Sequence, residues 1–149
     1  MIRLFKNLGL VCVMMLALFS CQKATPVAPP LQVNASNLNG NWMLQSINGT
    51  PLAGDTYFYI RFEMSGNKFT IWENLTSIPA GYNIDEGTFT FYVEPTVGTY
   101  IRGIDSIKDK EWSDMYYVKD LTESSMTWVG YNNPSFVQDF VRVETIPYE

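Results

Sequence analysis

Carboxylates are the first side chains in this sequence that could do chemistry. Asp105, Asp109, Glu111 and Asp114 fall in one short stretch (DSIKDKEWSD), and acids at such spacing could hold calcium. The EF-hand pattern is not met, because its glycine and its terminal glutamate are missing. Lys108 and Lys110 are interleaved with the acids, which favours a solvated loop. Glu63, Glu73 and Asp85 are further acids. A glycosidase needs two carboxylates across a cleft, and spacing along one chain cannot show that. Gly49, Gly54 and Gly66 read as turn glycines, so no phosphate-cradling loop is expected. The sequence has no histidine. That excludes Ser-His-Asp and Cys-His catalysis, His-ligated zinc and a histidine general base. The expectation is a non-catalytic protein with no cofactor and no metal.

The cysteines carry a different chemistry. There are two, Cys12 and Cys21. Residues 1–20 read as a signal peptide, with Arg3 and Lys6 ahead of an uncharged run from Leu8 to Phe19. That run is shorter than the ~20 apolar residues of a membrane-spanning helix. It ends in Leu18-Phe19-Ser20-Cys21, which resembles the lipobox of bacterial lipoproteins. The resemblance implies that Cys12 leaves with the signal and that Cys21 becomes a lipidated first residue. The mature chain then has no disulfide and no free thiol, and its core alone must hold it.

Residues 21–37 read as the lipidated cysteine and a disordered tether. Pro26, Pro29 and Pro30 lie in it with few apolar residues. Gln22 is not acidic; by the lipoprotein resemblance this implies the bacterial outer membrane. No acidic run of the kind that directs Bacteroidota lipoproteins to the cell surface follows, which points to the periplasmic face. Loss of Arg3 and Lys6 leaves 8 of the 10 basic residues against 15 acidic ones, so the net charge moves from −5 to −7. A surface of that sign repels nucleic acid and anionic headgroups, so attachment to the membrane is expected through the lipid alone.

From residue 38 to 149 the hydrophobic period is close to 2. Strands are expected at Asn41–Ile47, Tyr57–Met64, Lys68–Glu73, Gly87–Val93, Thr99–Ile104, Met115–Lys119, Ser125–Tyr131 and Phe136–Glu144. Asn48-Gly49, Ser65-Gly66-Asn67 and Asn132-Asn133-Pro134-Ser135 read as turns, and Asn74–Glu86 as a longer loop. A short helical turn near Lys108–Trp112 is the one departure from strand pattern. Eight strands with short connections predict an all-β, eight-stranded antiparallel up-and-down β-barrel.

Gly40-Asn41-Trp42 at the first strand resembles the Gly-x-Trp that opens lipocalins and related calycins. The resemblance implies that Trp42 plugs the barrel floor and that Arg142, from the last strand, packs across its ring, a cation–π contact worth up to ~2 kcal/mol. Leu38-x-Gly40-x-Trp42-x-Leu44, then Asn48-Gly49, then Tyr117-x-x-x-Leu121-Thr122, resembles lipocalin-like lipoproteins of Bacteroidota. Ile47-Asn48-Gly49 is also similar to the opening of META-type heat-shock domains, whose later cysteine-bearing segment has no counterpart here. Asp105-Ser106-Ile107 resembles the acceptor motif for O-glycosylation in exported Bacteroidota proteins, at Ser106.

If Trp42 points inward, so do Leu44, Phe58, Phe62, Phe91, Trp128 and Phe140. They either line a cavity for a small apolar or amphipathic ligand or fill a core, and small barrels are commonly packed shut. Tyr57, Tyr59, Trp72 and Tyr92 fall on the other face. Exposed and contiguous, they would suit a protein or glycan partner.

Overall fold

The computed structural model describes residues 29–75, 83–106 and 110–149. The expected signal peptide, Cys21, the tether as far as residue 28, and Asp109 lie outside them. The described chain holds one short helix, α1 (Ala35–Leu38), and ten strands. These are β1 (Gly40–Ile47), β2 (Thr50–Pro51), β3 (Phe58–Glu63), β4 (Lys68–Glu73) and β5 (Asn83–Glu94). After them come β6 (Gly98–Asp105), β7 (Lys110–Glu111), β8 (Tyr116–Lys119), β9 (Ser125–Gly130) and β10 (Val137–Val143).

Eight of the strands close a barrel. The order is β1-β3-β4-β5-β6-β8-β9-β10, and β10 pairs back onto β1. Every pairing is antiparallel. Leaving aside the two-residue strands β2 and β7, each strand pairs with its successor, so the barrel runs up and down. Closure leaves no free edge among these strands. β2 and β7 are attached outside the ring, on β1 and β6.

The alternation places the core. Phe58, Ile60 and Phe62 of β3 sit beside Ile71 and Phe69 of β4, while Met126 and Trp128 of β9 face Phe140 and Gln138 of β10. Trp42, Phe62, Phe69 and Phe140 are almost wholly buried. Each such ring contributes ~1.5–3 kcal/mol by leaving water. Gly87 of β5 makes room for this packing: a Cβ there would come within 2.7 Å of the Phe69 ring.

Three local expectations change. β5 begins at Asn83, so residues 83–86, expected in a loop, extend the strand. Lys110–Glu111 form β7 against β6 and not a helical turn. Residues 31–37, expected in the tether, lie against the barrel. Leu31 donates its N–H to the Leu121 carbonyl at 2.6 Å, and Leu31, Val33 and Ala35 pack on the core. Asn34 caps α1 by accepting from the Asn37 N–H at 2.9 Å. Apolar residues at alternate positions outweigh the prolines before them.

Candidate functional site

The two ends of the barrel differ. The floor is formed by the start of β1, the end of β10, the β8–β9 turn and residues 31–39. Trp42 is fully buried there, and its Nε1 donates to the Leu38 carbonyl at 2.8 Å. Arg142 stands opposite it in the β1–β10 ladder, with the guanidinium carbon 4.1 Å from the centre of the Trp42 ring. The guanidinium donates to the carbonyl oxygens of Glu123 at 2.7 Å, Asn39 at 2.5 Å and Asn37 at 2.7 Å. Burial lowers the Arg142 pKa, and the nearby Glu123 carboxylate opposes that. Gly40 has φ +121°, and a Cβ there would stand 2.6 Å from Nη1 of Arg142, so only glycine fits.

Above the floor the lumen is packed. Phe62 meets Phe89 edge-on at 5.0 Å, Phe89 meets Phe91 at 5.3 Å, and Trp128 lies 4.8 Å from Phe140. Of the residues expected to line a lumen, Trp42, Phe62, Phe91 and Phe140 therefore do not line a cavity at the open end, because their neighbours' rings fill the space. Leu44 borders a separate hollow beside the β2–β3 loop.

Phe58 and Trp128 do reach one. At the mouth lies a cavity of about 240 Å³, walled by Phe58, Ile71, Trp112, Tyr116 and Trp128, with Glu73, Asp85, Ser113 and Gln138 among them. Its residues are placed by register. Phe58 stands opposite Glu73, Ile71 opposite Asp85, and Trp128 opposite Gln138. All six are on the inward face of their strands. Trp112 comes from the connection after β7, where its N–H donates to the Gly103 carbonyl at 2.9 Å. A Cβ on Gly103 would run into the Trp112 indole, so glycine lets that ring lie over β6. Tyr116 then stacks on Trp128 at 5.0 Å, and Trp112 lies 5.6 Å from the same ring. Burial pushes the Tyr116 phenol above its usual pKa; a hydrogen bond with Ser113 opposes this, and the charge on Asp114 adds to it.

Three buried polar atoms on residues of this wall have no hydrogen-bond partner among the described residues. They are Nε1 of Trp112, Nε1 of Trp128 and Oε1 of Gln138. Trp128 is 3% exposed and Gln138 7%. An unmet buried group costs about 1–3 kcal/mol, and folded proteins carry few of them.

The acids of the charged stretch, expected as a solvated loop, go to separate places. Asp105 is buried on β6 opposite Gly87, and Glu111 is ion-paired with Arg102. Asp114 clamps two mouth loops, accepting from the N–H of Met115 at 2.8 Å and from Nδ2 of Asn132 at 2.7 Å. No group of three or more acids or cysteines among the described residues could hold a metal. Ser106 is exposed at the end of β6, its N–H donating to the Glu86 carbonyl at 2.7 Å.

The expected outer aromatic face is largely covered by the chain's own last residues. Tyr148 stacks on Tyr57 at 3.9 Å and lies 6.0 Å from Tyr59. Trp72 is only 5% exposed, beneath Arg61, which is ion-paired with Glu149. Tyr92 is exposed but belongs to another group, with Tyr100, Tyr117 and Tyr131 on β5, β6, β8 and the end of β9. The Tyr117 hydroxyl donates to Glu94 at 2.9 Å; burial and then that bond push its pKa up to about 12.

Trp112, Tyr116 and Gln138 were not singled out from the sequence. Trp112 sits in a charged stretch with no periodicity. Gln138 carried a readable signal, since it lies two residues before Phe140 on the face expected to point inward. No protein-family model, curated protein or solved structure matches this chain, so the site is read from its geometry.

Proposed function

We propose that this protein is a lipid-anchored, lipocalin-like barrel that binds a small amphipathic molecule at its mouth and performs no catalysis. The observation that carries this reading is the union, in one place, of an aromatic cavity and three buried polar atoms without partners. A void alone could be a packing defect. Indole N–H groups and an amide oxygen kept away from water and unpaired are what a site retains for a ligand's own acceptors and donor. Small side-chain rotations bring such atoms to a guest. The size of the cavity limits that guest. Drug-sized ligands occupy ~300–1,000 Å³, so about 240 Å³ suits a single ring with a short substituent.

Anchoring belongs to the same proposal. It rests on the lipobox-like Leu18-Phe19-Ser20-Cys21, with Gln22 favouring the outer membrane and the lack of an acidic run after it favouring the periplasmic face.

Native mass spectrometry of the protein purified from its own host tests the binding. A retained small molecule is expected on the natural chain. Ser113→Trp fills the mouth from an exposed position and is expected to lose that molecule while keeping the fold. The natural chain flying without any added mass, together with tryptophan fluorescence unmoved by a library of ring-sized fragments, would overturn the reading.

A further inference from the structure

The walls of the mouth cavity also indicate the charge of its guest. Glu73 and Asp85 stand on inward positions of neighbouring strands, two residues apart in register: Asp85 is opposite Ile71, and Glu73 follows on the same face of β4. Both line the cavity, and no described lining residue is basic. Two carboxylates facing a barrel lumen stand out, since the inward positions next to them along these strands are Phe69, Ile71, Gly87 and Phe89. Around them are the rings of Phe58, Trp112, Tyr116 and Trp128. Ring faces carry partial negative charge, so an aromatic enclosure beside carboxylates attracts a cation and repels an anion. The long-range field has the same sign, because acidic residues outnumber basic ones by 15 to 10.

We propose that the mouth of the barrel is a site for a small ammonium-bearing amphiphile. Its ring or short apolar body lies against Trp128, Tyr116 and Phe58, and its ammonium group sits at Glu73 and Asp85. This rests on the reading of the mouth as a ligand site. Each carboxylate also has an interaction within the protein, and a carboxylate has about four acceptor positions, so an ammonium adds to those contacts without replacing them. A hydrogen-bond acceptor on the guest would meet the unpaired indole N–H of Trp112 or Trp128, and a donor would meet Oε1 of Gln138.

Three probes of similar size test it: 2-phenylethylammonium, 2-phenylethanol and phenylacetate. Binding is read by calorimetry and by tryptophan fluorescence on the full mature chain. The ammonium is expected to bind at least about tenfold tighter than the alcohol, and the carboxylate not measurably. Added salt is expected to weaken the ammonium and leave the alcohol nearly unchanged. Glu73→Gln and Asp85→Asn together are expected to bring the ammonium-to-alcohol ratio to about one. The first two comparisons use the unaltered protein, so they stand even if that pair of substitutions fails to fold. An alcohol that binds as tightly as the ammonium overturns the cationic site while keeping the cavity. Failure of all three probes overturns both.

Discussion

Arg142 shows how much one side chain can hold. Its planar fork meets three carbonyl oxygens on two segments, residues 37–39 and the β8–β9 turn, and its face covers the Trp42 ring. Lysine, a single ammonium, cannot reach three divergent acceptors at once. Arg142→Ala should therefore destabilise the fold by ~2–4 kcal/mol, from uncovered carbonyls and the lost cation–π contact. Arg142→Lys should recover less than half of that. Urea unfolding followed by fluorescence measures both, and an alanine variant within ~0.5 kcal/mol of the natural chain would contradict this account. The pair was legible because Gly40-Asn41-Trp42 resembles the opening of lipocalins, a resemblance that implies an arginine from the last strand across the tryptophan ring. The residues of the mouth were less legible. Trp112 owes its position to the missing side chain of Gly103 across β6, which no local pattern in its own stretch records. Glu73 and Asp85 were visible as acids, but their convergence depends on the β4–β5 register.

At the scale of elements, the alternation of apolar residues was enough to find all eight barrel strands, because one face of each is buried and a slip of one residue would turn every side chain over. It failed where polar residues face inward. Asn83–Glu86 contains Asn, Asp and Glu, all disfavoured in strands, yet it extends β5 by pairing with Thr70–Glu73 of β4. The hidden strand end thus supplies Asp85 to the candidate site. Turns were legible where they need special backbone angles. Asn48 has φ 51° and Gly49 φ 74°. Asn48 does more than turn the chain. Its N–H donates to the Val137 carbonyl at 2.7 Å, and its Oδ1 accepts from the Val137 N–H at 2.8 Å, which joins the end of β1 to the start of β10 and helps close the barrel. Two substitutions separate these roles. Asn48→Gly keeps the backbone angle and loses the side-chain bond, at about 1 kcal/mol. Asn48→Ala loses both, at about 2 kcal/mol, since a residue with a Cβ resists positive φ. Equal losses on thermal or urea unfolding would show that the backbone angle contributes nothing.

For the whole molecule, the question is which way the mouth points. The described chain begins at the floor: Leu31 bonds Leu121 in the β8–β9 turn, and Asn37 and Asn39 bond Arg142. The candidate ligand site is at the other end, a strand length away, roughly 20 Å for six to eight tilted residues. If Cys21 is the anchor, as proposed, the mouth is expected to open away from the bilayer, because the described chain reaches the barrel at its floor. The excess of acidic residues would act in the same direction, since anionic headgroups repel a barrel of that sign. A guest would then arrive from the aqueous side, and no membrane-dissolved route to the cavity is needed. Single-cysteine labelling suits the test, because no cysteine follows Cys21 in the sequence. A fluorophore on Ser65→Cys, in the β3–β4 turn at the floor, should be quenched by lipid-borne quenchers more than one on Ser113→Cys at the mouth, when the lipidated protein is bound to vesicles. Binding of the ring-sized probes should be the same on vesicles as in the soluble Cys21→Ser form. Stronger quenching at the mouth, or an affinity that changes on vesicle attachment, would mean that the cavity faces the bilayer and that its guest comes from the lipid.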